Sequence, residues 1–460
     1  MKTIIYILSV VFLLTSCSKD FLEIDPEGDF NAENFYKTEG EFNAALTGAY
    51  AKLQGQIDIY FELTEYRSDY LDFAAPTAGT QDRFDITKFQ DNSANVLIRD
   101  AWANYMNGIL RCNVITDNLP AANLSESFKK QIEGEARFIR ALTYFNMVRL
   151  WGDIPIILKQ VTPQESLTLG RSPISEVYKV IENDLLFAKD NLKLTNNGRA
   201  TSGAAKALLG KVYLTQKKYP EAITVLSELI GKYSLQPNIA DVFDTTKKQN
   251  SELIFSIQFY KGISTEDHGL WLSVSDVTTT PFTQKLLNAY QLAPVIDARK
   301  AMVDYRLGGT KNNIFVPGKF YDTPVNTTNN NFGNDYTILR YADVLLMLSE
   351  ALNEESYQPA GSAFDYLNDV RTRSKLTPLT PTNLPDQASF RDAVLYERFL
   401  EFPFEGQRWF DLIRTNTATK EIKSGKGINI LPYQLLYPVP QTEIQKINNP
   451  LLYYQNEGYN

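Results

Sequence analysis

Two adjoining segments in the middle of the chain leave it little choice of architecture. Ala205, Leu208, Leu209, Val212 and Tyr213 fall on one stripe of a helix. After a turn at Lys217 to Tyr219, a second apolar face runs through Ala222, Leu226 and Leu229. Pro220 opens that second helix where its missing N–H is harmless. Leu209-Gly210-x2-Tyr213 followed by Ala222-x3-Leu226 has the spacing of a tetratricopeptide pair, with small residues at the crossing and larger ones beside it. A single pair cannot bury both its faces, so roughly three or more such pairs must stack.

The remaining periodicity agrees. Phe138, Ala141, Leu142, Phe145 and Val148 mark a helix from about Phe128 to Trp151, ended by Gly152 and Pro155. Tyr341 to Asn353 and then Ala363 to Arg373 repeat the paired pattern more weakly. Glu252 to Tyr260, rich in Ile and Phe, reads as a strand within a loop-rich elaboration at about 232–335. Asn326 to Asn334 is a polar loop by composition, and Asp72 to Asn95 shows no helical period. The expected fold class is mainly α: a tetratricopeptide-like helical repeat scaffold with irregular loops and short strands.

The N-terminus reads as an export signal. Lys2 precedes an apolar run, Ile4 to Leu14, that is too short for a permanent membrane helix. Leu14-Thr15-Ser16-Cys17 is similar to a bacterial lipobox, so residues 1–16 are expected to be a lipoprotein signal peptide and Cys17 the lipidated new N-terminus. The alternative is an ordinary cleaved signal with a chance cysteine. No linker-like composition divides residues 17–460, which are expected to form one domain.

Scarcity of reactive residues argues for binding over chemistry. The 460 residues include two cysteines and one histidine. With Cys17 lipidated, Cys112 has no disulfide partner, and its apolar neighbours suggest a buried, inert thiol. His268 alone cannot build a multi-histidine zinc site. No Gly-x-Ser-x-Gly elbow, phosphate-binding glycine loop or Cys-x-x-Cys pair occurs, and no cofactor or metal is expected. The net charge of −8 argues against a general nucleic-acid binder.

The densest charged motif runs from Glu397 to Arg414. Glu397 and Glu401 share a helix face, and paired carboxylates are what a glycosidase requires, with Glu405 as another candidate. Arg398, Arg408 and Arg414 lie close in sequence, and guanidinium neighbours make carboxylates poor general acids. The spacing of Arg408, Asp411 and Arg414 fits a helix-surface ion network that fixes packing.

This block resembles the Glu-Arg-x2-Glu-x3-Glu-Gly-x-Arg-x2-Asp-Leu-x-Arg signature of the SusD/RagB family, outer-membrane nutrient-binding lipoproteins of the Bacteroidetes. Further similar segments follow the family order: Trp102 to Asn113, Glu135 to Pro155, Leu339 to Ala351, and Pro438 to Tyr459. Two departures stand out. Arg371-Thr372-Arg373-Ser374-Lys375-Leu376 replaces the usual Arg-x-Arg-Ala-Gly-Leu turn, and Glu457 replaces a common proline; both read as peripheral.

The resemblance implies a SusD-like scaffold of about four helix pairs. It implies a non-enzymatic, surface-exposed lipoprotein, held to the outer membrane by its N-terminal lipid. Such a protein captures an oligosaccharide and delivers it to a SusC-like TonB-dependent transporter. Peptides or other nutrients remain open as ligands, and a helical glycoside hydrolase or an adhesion module are the other classes. Sugar recognition calls for flat aromatic faces and polar groups. Of four tryptophans, Trp102, Trp151 and Trp409 lie inside the helical motifs and read as core, which leaves Trp271 as the stacking candidate. The early loop adds Arg83, Phe84, Phe89 and Asn92, with Tyr66 and Asp69 just before it.

Overall fold

The computed structural model describes residues 35–76, 79–262, 268, 270, 282–291, 297–303, 305–306, 315–316, 318–320, 322 and 332–459. The expected signal segment and Cys17 lie outside the described residues, as does Trp271. Helices of seven or more residues are numbered in chain order. They are α1 (Glu39–Gln54), α2 (Ile57–Glu65), α3 (Gln81–Lys88), α4 (Val96–Asn118), α5 (Glu126–Trp151), α6 (Ile174–Asn191), α7 (Ser202–Thr215) and α8 (Tyr219–Ser227). Then follow α9 (Gln284–Gln291), α10 (Tyr341–Glu355), α11 (Ser362–Arg373), α12 (Gln387–Glu401), α13 (Arg408–Arg414), α14 (Ala418–Lys426) and α15 (Gln441–Ile447).

The helices stack in succession. α1 packs on α4, α4 on α5, α5 on α6, α6 on α7, α7 on α8, α8 on α10, and α10 on both α11 and α12. The pairs α1/α4, α5/α6, α7/α8 and α10/α11 are the repeat units, mainly α as the spacing predicts. Strands β1 (Leu253–Ile257) and β2 (Tyr336–Arg340) pair antiparallel, with Leu253 opposite Arg340 and Ile257 opposite Tyr336. Phe255 seats its ring edge-on against Phe138 of α5, 4.9 Å between centroids, which anchors the ribbon to the stack.

Local sequence explains the element ends. Thr38 and Glu41 form a reciprocal capping box that starts α1, and Ser125 caps α5. Gly152, at φ 74°, closes α5. Pro220 sits in the first turn of α8, which begins one residue earlier, at Tyr219. Gly210 is small for the reason its spacing suggests: a Cβ there would stand 2.3 Å from Leu226 Cδ2.

The core contains Trp102, Trp151 and Trp409, each at most 1% exposed. Trp102 and Trp151 meet edge to face at 5.2 Å. Cys112 is buried, and burial pushes its thiol up to about 12, so it is no nucleophile at neutral pH. One expectation fails outright. The stretch Asp72 to Asn95 is not aperiodic loop throughout, because Gln81–Lys88 forms α3. That helix buries little beyond Ile86 and Thr87, so no apolar stripe announces it.

Candidate functional site

The charged C-terminal motif folds into the interior. Glu397, Glu401 and Glu405 are buried, as is Glu252 at the entry to β1. Glu397 accepts hydrogen bonds from Arg299 at 2.7 Å and Arg371 at 2.8 Å. Glu401 accepts from Arg340 at 2.6 Å, from Arg299 at 3.0 Å and from Arg373. Glu405 is held by Arg340 at 2.8 Å and Lys319 at 2.5 Å, and Glu252 by Arg340 at 2.9 Å and Arg373 at 3.2 Å. Burial alone would raise the Glu401 carboxyl, but Arg373, Arg340 and Arg299 outweigh it and hold the group well below the usual carboxylate range. A carboxylate so clamped carries no proton to donate at neutral pH.

Two readings of this motif need correction. Arg408, Asp411 and Arg414 do not form a helix-surface network, because α13 is buried through Leu412. Asp411 accepts from Arg398 at 2.8 Å and Arg414 at 2.9 Å, whereas Arg408 turns to Asp69 at 2.8 and 2.9 Å. Nor is the Arg371 to Leu376 turn peripheral, since Arg371 and Arg373 reach Glu397, Glu401 and Glu252.

The early segment divides into inward and outward halves. Tyr66, Arg67, Ser68 and Asp69, just after α2, are all buried. Asp69 also accepts from Lys285 at 2.6 Å. Burial would raise its carboxyl, but Arg408 and Lys285 bring it down to about 2. Tyr66 packs edge-on against Phe61 and Phe73. Phe89 is buried in a left-handed conformation, φ 58°, against the Arg67 guanidinium at 4.4 Å; Tyr437 covers Arg67 at the same distance. Tyr66, Asp69 and Phe89 are therefore committed to interior contacts.

Glu65, one turn before Asp69, behaves oppositely. Burial pushes its carboxyl up to about 8, beyond what the Gly406 N–H bond at 2.6 Å can reverse. The bond fixes the turn at Gly406, where φ is +68° and a Cβ would collide with Tyr60 at 2.3 Å.

Arg83, Phe84 and Asn92 face outward. Arg83 donates to Glu62 at 2.8 Å while its side chain stays 37% exposed. Phe84, half-buried, meets Phe73 edge-on, and Lys88 lies 5.8 Å from its ring. Exposed Asn92 accepts from the Ala94 N–H at 2.9 Å. Asp82 accepts from the Val96 N–H and, through its carbonyl, from Asn95, so the link carrying Asn92 is tied to the first turn of α3. His268 is buried, its Nε2 2.9 Å from the Asn334 carbonyl oxygen; burial lowers it to about 4.

Two clefts escape sequence reasoning. One lies on both sides of Asn197-Gly198-Arg199, about 370 and 260 Å³, with Tyr50, Gln54, Tyr233, Gln258 and Tyr260 on its walls. The Asn-Gly turn is a sequence signal for the loop, but the walls come from distant segments. The other, about 500 Å³ and largely apolar, lies between α4, the chain at 155–169 and α15.

Two family models match complementary parts of the chain: the SusD family over residues 299–459, and "starch-binding associating with outer membrane" over residues 20–214. Among relatives, SusD-like protein P25 of Formosa agariphila is 28% identical over 98% of this chain and 99% of its own. A SusD-like protein of Bacteroides ovatus is 25% identical over 89% and 82%. A SusD superfamily protein from Bacteroides vulgatus shares the fold, with TM-score 0.80 at 23% identity, covering 92% of this chain and 100% of that one. A protein described as a laminarin binding SusD-like protein superposes with TM-score 0.77 at 26% identity over 92% and 100%. The succession of helix pairs, the inward-facing arginine–glutamate layer and these matches lead to one conclusion: this chain belongs to the SusD/RagB family.

Proposed function

We propose that this protein is a non-catalytic glycan receptor at the cell surface, lipidated at Cys17. It captures an oligosaccharide and passes it to a SusC-like TonB-dependent barrel in the outer membrane. Residues 1–16 are the export signal and 17–460 the working domain. The observation that carries this reading is similarity along nearly the whole chain to SusD-like proteins, one of them described as binding laminarin. The guanidinium clamps on Glu397, Glu401 and Glu405 favour binding over hydrolysis. Ligand contact falls to Arg83, Phe84 and Asn92 on the outward half of the early segment, with Trp271 supplying a stacking face.

The test uses the soluble chain from Ser18 onward, titrated calorimetrically with β-glucan, α-glucan and xylan oligosaccharides and with peptides. Saturable binding of one glycan, lost in Arg83→Ala with Phe84→Ala and weakened in Trp271→Ala, is the expected outcome. Binding of peptides alone refutes the glycan reading. New reducing ends from a polysaccharide, abolished in Glu401→Gln, would show an enzyme instead.

A further inference from the structure

The dipeptide Asn-Gly occurs twice in the chain, at Asn107-Gly108 and Asn197-Gly198, and the fold gives the two opposite settings. Asparagine followed by glycine is open to ring closure between the side chain and its own main chain. A residue without Cβ leaves its nitrogen uncovered and lets the backbone turn toward the preceding side chain. Both asparagines are exposed, so contact with solvent does not separate them. The following nitrogen and the carboxamide do.

Asn107 and Gly108 lie inside α4. The helix commits the Gly108 N–H to the carbonyl four residues back. Asn107 Oδ1 accepts from Arg111 Nε at 3.0 Å. Gly108 is buried, and a Cβ there would stand 2.9 Å from Gln56 Nε2. Neither reacting group is at liberty.

Asn197 and Gly198 are the central pair of a tight turn, closed by the Arg199 N–H on the Asn196 carbonyl at 2.6 Å. Among the described residues, the Gly198 N–H donates to no group and the Asn197 carboxamide makes no hydrogen bond. Gly198 has φ +73°, and a Cβ would stand 2.0 Å from Gln258 Nε2, so only glycine suits this corner. The flanks are tied down. Asn196 Nδ2 donates to the Ala200 carbonyl at 3.1 Å, and the Ala200 N–H to the Tyr50 hydroxyl at 2.9 Å. Arg199 reaches Asn43 at 3.1 Å and Thr47 at 2.7 Å on α1. Between these anchors the reacting pair is free.

We propose that Asn197 is a site of spontaneous modification, cyclising onto Gly198 and reopened by water to aspartate or isoaspartate. The Gly198 nitrogen, giving its proton to base, attacks Asn197 Cγ. The new N–Cγ bond forms, the Cγ–Nδ2 bond breaks, and Nδ2 leaves as ammonia, taking up a proton. Water then opens the cyclic imide. Attack at Cγ leaves aspartate in an ordinary main chain. Attack at the main-chain carbonyl of residue 197 routes the chain through the side chain instead. Nothing is oxidised or reduced, and water is the only reagent consumed. Either product places a carboxylate on the turn that divides the 370 and 260 Å³ lobes of the cleft. The isoaspartyl product also adds an atom to the ring that the Arg199–Asn196 bond closes. The inference does not depend on what the protein binds.

The test incubates the folded protein in warm, mildly alkaline buffer and digests it at mildly acidic pH, where the ring does not close. Mass spectrometry of the peptides should show the one carrying Asn197 heavier by about 1 Da. Part of that peptide should accept label from an isoaspartyl methyltransferase. The Asn107 peptide should stay unchanged while the protein is folded, and both should convert in urea. Asn197→Gln should remove the labelling, because glutamine must close a larger ring. Its side chain replaces one with no partner to lose, so that variant keeps the fold. An unchanged Asn197 peptide in the folded protein, alongside conversion in urea, overturns the proposal. Equal conversion of both peptides in the folded protein, or undiminished labelling in Asn197→Gln, overturns it as well.

Discussion

The α7/α8 pair and the layer beneath α10, α12 and α13 do the same job by opposite means. In the first, Gly210 lets Leu226 lie against the helix backbone, and both faces are apolar. In the second, five basic groups interleave with five acidic ones, nearly all buried. Apolar interlocking tolerates some repacking, whereas an interior ion layer holds only while every member is present. The charged layer thus trades robustness for definition of one arrangement of helices, and it lies where the chain returns from the loop-rich elaboration. The two regions should fail differently under mutation.

The largest effect belongs to Glu401. Its removal leaves Arg299, Arg340 and Arg373 each short of a counter-charge in a buried site. Glu401→Ala should destabilise by about 4 kcal/mol, read from urea unfolding midpoints. A loss under about 1 kcal/mol would mean the layer is hydrated and the contrast with α7/α8 false. Leu226→Ala comes next, at about 3 kcal/mol, from lost burial and the cavity left against Gly210. Gly210→Ala should cost less, about 1–3 kcal/mol, because Leu226 can shift partway. If Glu401→Ala and Leu226→Ala are combined, the losses should add, since the residues belong to different layers.

Acid should separate the regions without mutation. Asp69 falls from an unfolded value near 3.9 to about 2 in the fold. Because its folded value is depressed, the stability it adds is complete above about pH 4 and disappears as pH drops through about 2; it amounts to roughly 2–3 kcal/mol. Glu401 and Asp411 shift in the same direction. Unfolding followed from pH 6 to pH 2 should therefore show steep loss in the wild type. Asp69→Asn should start lower and lose less. Equal slopes in both proteins would mean that Arg408 and Lys285 do not hold Asp69 ionised in the fold.

The contrast also explains what could be read from residues alone. Gly210, Tyr213, Ala222 and Leu226 interact within a few turns, so their spacing carries the packing. The three core tryptophans sit in helical stripes and were placed for the same reason. Ion pairs such as Arg340–Glu401 and Arg408–Asp69 span 61 and 339 residues, and no local period encodes such partners. The same distance problem hid the interior roles of Asp69 and Phe89. An aspartate and an aromatic beside loop-forming residues look like ligand groups until Arg408 and Arg67 are placed next to them. The 197–199 cleft eluded the sequence because its walls gather Tyr50, Tyr233 and Gln258 from three separate segments.

The smallest prediction concerns the turn where this chain departs from its family. Lys375 stands at the position of the usual glycine and takes φ 62°, a left-handed conformation awkward for any residue with a Cβ. The backbone demands it: Leu376 N–H bonds the Arg371 carbonyl at 2.8 Å and Lys375 N–H the Thr372 carbonyl at 2.9 Å, which together close α11. Upstream, Arg371 and Arg373 must keep their direction toward Glu397 and Glu252, so the turn cannot relax to suit lysine. Lys375→Gly should therefore stabilise the protein by about 0.5–1 kcal/mol, despite the greater freedom of glycine in the unfolded chain. Unfolding midpoints measure it. A neutral or destabilising outcome would mean that lysine pays no strain at φ 62° here, and that the ion layer does not dictate the geometry of the turn that closes α11.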